Sequence, residues 1–324
     1  MPAILYSPEN STNVRFVSPE APDVPSPVPG RAAPPPGESA LPVRLPRRRP
    51  SPWLRAAFRA AATLAPPLAV RWAEHAFGTP PRLEARFSPV LASGHRFYLD
   101  AGGERLAVWS WGDGPTAVLL HGWAGRSEQL AAFVPPLLAA GFSVVAPDAP
   151  GHGASTGRAS SILAFADALE AVAERVGPVH AFVGHSGGAA AGALAIHRGV
   201  PVQRAVFLAP VASLTDVVTR FAWQLHIPPW IADAMRSRFE SRLGVPMSAL
   251  EVPPLARGAQ TPLLVFHDPE DREVPWHDGA AIAQAWPGAR LIDVPRVGHN
   301  RILRDADVIA QAVSFLARHG GEKS

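Results

Sequence analysis

Cysteine is missing from all 324 residues, and that one absence removes disulfides, thiolate metal sites and a cysteine nucleophile together. It leaves the compartment open, because a chain without cysteine suits either side of a bacterial membrane. Lysine is almost missing too: Lys323 stands alone among 30 basic residues, a bias of genome composition before it is one of function. A strong excess of one charge is also lacking. Residues 1–80 carry nine arginines against five acids, whereas residues 81–324 carry 21 basic and 22 acidic side chains. The body of the protein is therefore near neutral, and nothing in it points to nucleic acid as a partner. No apolar run is long enough to span a bilayer. Ala60 to Val70 is only 11 residues between arginines, where about 20 are needed. Arg55, Arg59 and Pro66-Pro67 break the same stretch as a secretory or twin-arginine signal, so a cytoplasmic location is expected. No His-Glu-x-x-His, EF-hand or phosphate-loop pattern occurs, so neither a metal nor a nucleotide cofactor is implied.

What is present divides the chain into parts. Residues 1–52 hold 14 prolines with few apolar residues and no periodicity, the composition of a disordered arm. Residues 53–84 change character: Trp53, Leu54, Phe58, Ala61, Leu64 and Ala65 recur at helical spacing among arginines. Such a basic amphipathic helix either docks on its own catalytic domain or makes a peripheral membrane contact through residues 53–77. Docking is the expectation favoured here. Residues 85–318 have the length of one α/β domain with an ample core, and 319–324 form a tail. Nothing in the pattern sets an oligomeric state.

Within the large segment, short apolar runs alternate with helical patterns. Glu104 to Trp111 alternates and reads as a half-exposed strand. Thr116–Leu120, Phe142–Ala146, Val179–Val183, Arg204–Leu208, Pro262–Phe266 and Arg290–Val294 read as strands. Helices are expected over about 127–140, 161–176, 187–198, 279–286 and 302–317. That alternation predicts an α/β fold, a mostly parallel sheet wrapped by helices on both faces. Residues 211–260 stand outside the alternation, with helical patterns over about 214–225 and 230–243 separated by Ile227-Pro228-Pro229. They are expected to form a small helical cap, rich in large apolar groups such as Phe221, Trp223, Trp230 and Met235.

Chemistry concentrates where strands end. Val179 to Val183 runs into Gly184-His185-Ser186-Gly187-Gly188, a Gly-x-Ser-x-Gly turn followed at once by a small-residue helix. A strand that reverses so sharply leaves one serine at the apex and needs glycine beside it. Alone the pattern is short enough to arise by chance; its partners give it weight. A serine hydroxyl needs a base, and His299 follows the last strand. The base needs a carboxylate, and Asp271 follows the preceding strand. Asp268, three residues away, is its main rival, and Asp216 a more distant one. The order Ser…Asp…His and the Val274-Pro275 that follows favour Asp271. An oxyanion would be held by the backbone N–H groups of Gly187 and Trp123. His121, His152 and Asp148 read as structural hydrogen-bonding groups, and His185 as pointing away from the nucleophile.

Taken together, His-Gly-x-x-Gly at 121–125, Asp148-x-Pro-Gly-His-Gly, Gly-His-Ser-x-Gly at 184–188, Asp271-x-x-Val-Pro and Gly-His at 298–299 resemble the serine hydrolases of the α/β-hydrolase superfamily. The resemblance covers roughly residues 85–318. It implies that fold with its cap placed after the sixth strand, a Ser186–His299–Asp271 triad, an oxyanion hole at Trp123 and Gly187, and an acyl-enzyme route. The implied partner is a small-molecule ester or acyl substrate. Gly187 departs from the pattern, since many relatives carry a larger residue there. Dehalogenase and epoxide hydrolase relatives carry Asp at the elbow, so Ser186 argues against both. Thioester hydrolysis, C–C bond cleavage, perhydrolysis and a non-catalytic ligand-binding role remain as alternatives.

Overall fold

A computed structural model of the chain describes residue 58, residues 60–81 and residues 88–318. The Pro-rich arm over 1–52, residues 53–57 and the 319–324 tail lie outside the described residues. Eight strands form one sheet: β1 His95–Ala101, β2 Glu104–Trp111, β3 Thr116–Leu120, β4 Ser143–Pro147, β5 Val179–His185, β6 Val202–Leu208, β7 Leu263–His267 and β8 Arg290–Asp293. Their spatial order is β1-β2-β4-β3-β5-β6-β7-β8. Only β1–β2 and β2–β4 pair antiparallel; the other five pairings are parallel.

The central parallel strands β3 and β7 are near-continuous apolar runs because both sheet faces are covered there. Along β5, Phe182 faces one core with Val179, while Ala181 and Val183 face the other. One layer holds α4 (Ile162–Val176), α5 (Gly187–His197) and α9 (Trp276–Ala285), packed through Phe165, Leu169 and Ile282. The opposite layer holds a 3-10 segment over Ser127–Phe133, α3 (Val134–Ala139) and α10 (Ala306–Leu316), packed through Phe133, Leu137 and Val308. Two departures from the sequence reading have local causes. β2 is buried on both faces, not half-exposed, because Leu106 and Val108 pack into one core and Ala107, Trp109 and Trp111 into the other. The final helix is cut at Asp305, whose carboxylate caps α10 by accepting from Asp307 and Val308 N–H at 3.1 and 3.0 Å.

Between β6 and β7 the chain leaves the sheet to form α6 (Leu214–Leu225), α7 (Pro229–Leu243) and a short α8 (Val252–Ala256). Ahead of the sheet lie helical residues 60–64, α1 (Pro66–Gly78) and the brief α2 (Pro89–Ala92). α1 lies on α7, burying Ala69, Val70 and Ala73 in one cluster with Ile231, Met235 and Phe239. Among the described residues no helix is long and apolar enough to cross a membrane.

Candidate active site

Ser186 sits between β5 and α5 with φ 53° and ψ −119°, a left-handed backbone that a non-glycine residue adopts only when its surroundings impose it. Those surroundings are visible. Ser186 N–H donates to Leu208 O at 2.9 Å, and Ser186 O accepts from Ala189 N at 3.1 Å. A Cβ on Gly184 would lie 2.7 Å from Ala189 Cα, and one on Gly188 would strike the carbonyl oxygens of Leu120 and His121. Both glycines are thus required by backbone approach rather than by their own dihedral angles.

The base and acid candidates meet. His299 Nδ1 is 2.8 Å from Asp271 Oδ2, with His299 8% and Asp271 7% exposed. The other Asp271 oxygen accepts from Glu273 N–H at 2.7 Å and Val274 N–H at 3.1 Å. Burial alone would raise the Asp271 carboxyl. The His267 ring 3.6 Å away, the His299 contact and the Glu273 N–H overcome that and hold it well below the usual carboxylate range. A carboxylate fixed on Nδ1 makes that nitrogen the donor and leaves Nε2 as the basic site of a neutral ring.

Asp268 does something else. Its carboxylate accepts from Glu270 N–H at 2.8 Å, Arg296 N–H at 3.3 Å and Gly298 N–H, so it ties the loop before His299 to the end of β7. Asp216 lies in the first turn of α6, whose N-cap is Ser213.

Trp123 and Gly187 are neighbours: a Cβ on Gly187 would stand 3.8 Å from Trp123 N and 3.3 Å from Ile162 Cδ1. Gly187 opens α5, where a backbone N–H has no intrahelical acceptor. The loop carrying Trp123 is held by two neutral histidines. His152 Nε2 accepts from Ala124 N–H at 3.1 Å while its Nδ1 faces Pro150 O at 2.9 Å. His121 Nε2 accepts from Ala149 N–H at 3.0 Å and its Nδ1 donates to Gly122 O at 2.7 Å. Burial lowers His121 to about 4, against the opposing pull of that Gly122 bond. Asp148 is also structural, accepting from Ser127 N–H and Ala154 N–H, both at 2.7 Å.

Ser186, His299, Trp123 and Gly187 all border one cavity of about 390 Å³, which α6 and α7 also line. Its walls are mostly apolar, with Leu214, Val217 and Phe221 from α6 and Phe239 and Leu243 from α7. Several groups on it or behind it are not evident from the sequence. His185 packs its ring 4.6 Å from that of His299 and donates from Nε2 to His299 O at 3.0 Å. The strand-to-turn geometry does point it away from Ser186, but toward the His299 loop. Glu273 and Arg220 bring two charges to the lining, and the Ser160 hydroxyl there is buried without a partner. Burial raises the Glu273 carboxyl, opposed by the charge of His299. Among the described residues no group of His, Asp and Glu side chains is placed to hold a metal.

With the geometry in hand, comparison with known proteins is direct. The profile of the alpha/beta hydrolase family matches residues 117–312, more than half of the chain, and the protein belongs to that family. No curated protein matches the sequence. Many solved structures share the fold. A putative lipase from Acinetobacter baumannii is 18% identical, with a TM-score of 0.56 over 72% of this chain and 96% of its own. An esterase from Exiguobacterium antarcticum is 15% identical, with a TM-score of 0.55 over 68% and 99%. A meta-cleavage product hydrolase from Pseudomonas fluorescens is 18% identical, with a TM-score of 0.51 over 68% and 96%.

Proposed function

We propose that this α/β-hydrolase is a serine hydrolase that cleaves carboxylic esters of apolar acids or alcohols through an acyl-enzyme. The observation that carries the reading is His299, backed by Asp271 at 2.8 Å, bordering the same cavity as a serine held at positive φ. A hydroxyl held at such a strained apex is otherwise hard to account for.

The steps follow from the atoms present. His299 Nε2 takes the Ser186 hydroxyl proton as Oγ attacks the ester carbonyl, and Asp271 stabilises the imidazolium through Nδ1–H. The carbonyl oxygen gains negative charge in the space between the Trp123 and Gly187 backbone N–H groups. The tetrahedral intermediate collapses, the proton passes from His299 to the departing alkoxide, and the acyl group stays on Ser186. Water then attacks with His299 again as base, which releases the acid and restores the serine. The apolar roof keeps bulk water from the imidazolium–carboxylate pair and receives the apolar part of the substrate.

Thioester hydrolysis, C–C bond cleavage and perhydrolysis use the same three residues, so the bond cleaved is the part to be measured. A panel of p-nitrophenyl esters, acyl thioesters and a vinylogous diketone, assayed on purified enzyme, ranks them by kcat/KM. The reading predicts that the esters lead; a thioester or C–C substrate ahead by tenfold would replace it.

A further inference from the structure

The cavity has a wall that comes from outside the matched family span. α1 ends at Gly78, far ahead of residue 117 where the family match begins. Its last turn nevertheless reaches the cavity, which Ala76 and Phe77 line beside Trp123 and Ser186. The Phe77 ring meets Phe221 edge-on at 5.2 Å and Phe239 edge-on at 5.1 Å, so one aromatic from α1 is wedged between one from each cap helix.

Three features hold that wedge in place. Glu74, one turn earlier, is 7% exposed, and its carboxylate meets Arg238 Nε at 2.9 Å and Arg242 Nη1 at 3.2 Å on α7. A buried carboxylate paired with two guanidiniums fixes the rotation of α1 on α7, because turning the helix would break both contacts. Gly78 O accepts from Ser160 N–H at 2.9 Å, which ties the end of α1 to the loop before α4. A Cβ on Gly78 would stand 3.2 Å from Phe239 Cε2 and 3.1 Å from Arg242 Nη2, so the absence of a side chain lets the helix end approach α7 closely.

We infer that α1 is a third element of the cap and that Phe77 is a specificity-determining residue, its ring setting the size of the apolar group the cavity accepts. The inference rests on the reading of this cavity as the ester site. An apolar ring between two others, bordering a cavity that contains the nucleophile, acts on substrates by filling space. Removing it lengthens the cavity and enlarging it shortens the cavity.

The test pairs substitutions of opposite sign. Phe77→Ala and Phe77→Trp are assayed beside the parent on p-nitrophenyl acetate, butyrate, octanoate and decanoate. Each further methylene that finds apolar surroundings is worth about fourfold in kcat/KM. Phe77→Ala is therefore expected to raise the decanoate-to-acetate ratio at least tenfold, through KM of the long esters, and Phe77→Trp to lower it. Phe77→Leu, which keeps most of the packing, is expected to fall between parent and alanine should the alanine variant fail to fold. Ratios within twofold of the parent in every folded variant would overturn the inference while leaving the ester reading intact. The converse is separable by calorimetric binding of butanoate, octanoate and decanoate. Chain-length dependence that moves with residue 77, in an enzyme that cleaves no ester, would support the wall and sink the ester reading. Neither cleavage nor binding would sink both.

Discussion

At the scale of single residues, the account separates two aspartates three positions apart. Asp271 touches His299, whereas Asp268 accepts from Arg296 and Gly298 N–H of the His299 loop and from Glu270 N–H of its own. Ser186→Ala should lower ester turnover by at least about 10⁴-fold with an unchanged melting curve. Asp271→Asn should cost roughly 10³–10⁴-fold, because an amide can hold the ring in the wrong tautomer. Asp268→Asn should show mainly as a loss of thermal stability, with a smaller loss of turnover as the loop loosens. Kinetics and melts run side by side decide it, and a larger turnover loss in Asp268→Asn than in Asp271→Asn would move the acid role. His121 yields a prediction about pH. Its ring is held neutral, donating from Nδ1 and accepting at Nε2, and its folded value of about 4 lies below the ordinary 6.5. A lowered histidine stabilises the fold above its unfolded value, and that contribution drains away as pH falls from 6.5 toward 4. The loss amounts to about 3 kcal/mol. Urea unfolding at pH 7.5 and 4.5 should show that loss in the parent and a smaller one in His121→Gln. Equal losses in both would remove His121 from the acid sensitivity.

At the scale of elements, the elbow rests on two adjacent glycines with opposite expectations. A methyl on Gly188 would run into the backbone oxygens of Leu120 and His121, neither of which can move without shifting β3. A methyl on Gly187 would crowd the tip of Ile162 at 3.3 Å and touch Trp123 N at an ordinary 3.8 Å, and a flexible side chain can yield. Gly188→Ala should therefore cost roughly 2–4 kcal/mol and most of the activity, and Gly187→Ala under about 1 kcal/mol. Equal unfolding free energies for the two variants would contradict this. The same elements show what a sequence can reveal. β3, β5 and β7 were readable because strands buried on both faces are continuous apolar runs. Ser186, Asp271 and His299 are legible as candidates because each lies in the turn or loop that follows a strand. β2 misled because its alternation of large and small residues says nothing of the strands that flank it. The cut at Asp305 had a signal, an aspartate ahead of an apolar periodic run, hidden by Ile302 and Leu303 continuing the pattern. Phe77 had none: a ring more than a hundred residues before Ser186 enters the cavity only through a tertiary contact with α7.

At the scale of the whole molecule, we propose that the chain ahead of the sheet divides functionally at about residue 52, where the Pro-rich composition ends. The Pro-rich arm cannot bury enough apolar surface to support the core, so deleting residues 1–50 should leave activity and melting temperature nearly intact. Deleting through Phe77 uncovers Ile231, Met235 and Phe239 and opens the cavity. Melting should fall by roughly 5–10 °C, with self-association visible by light scattering. α1 also turns Leu68 and Trp72 outward, at 61% and 39% exposure, and Leu64 just ahead of it is 83% exposed, so docking of the inner face leaves apolar side chains outside. Unchanged melting in the longer deletion, with loss of co-sedimentation on anionic liposomes, would favour the membrane alternative over docking. All of this takes its meaning from one claim, that Ser186 is the nucleophile of an operating triad. The measurement that tests it most directly is labelling of the full chain with a fluorophosphonate, followed by peptide mapping by mass spectrometry. One adduct per chain is predicted, on Ser186, forming at least 10²-fold more slowly in His299→Ala. No adduct in the folded parent, or an adduct on another serine such as Ser160, would contradict the account.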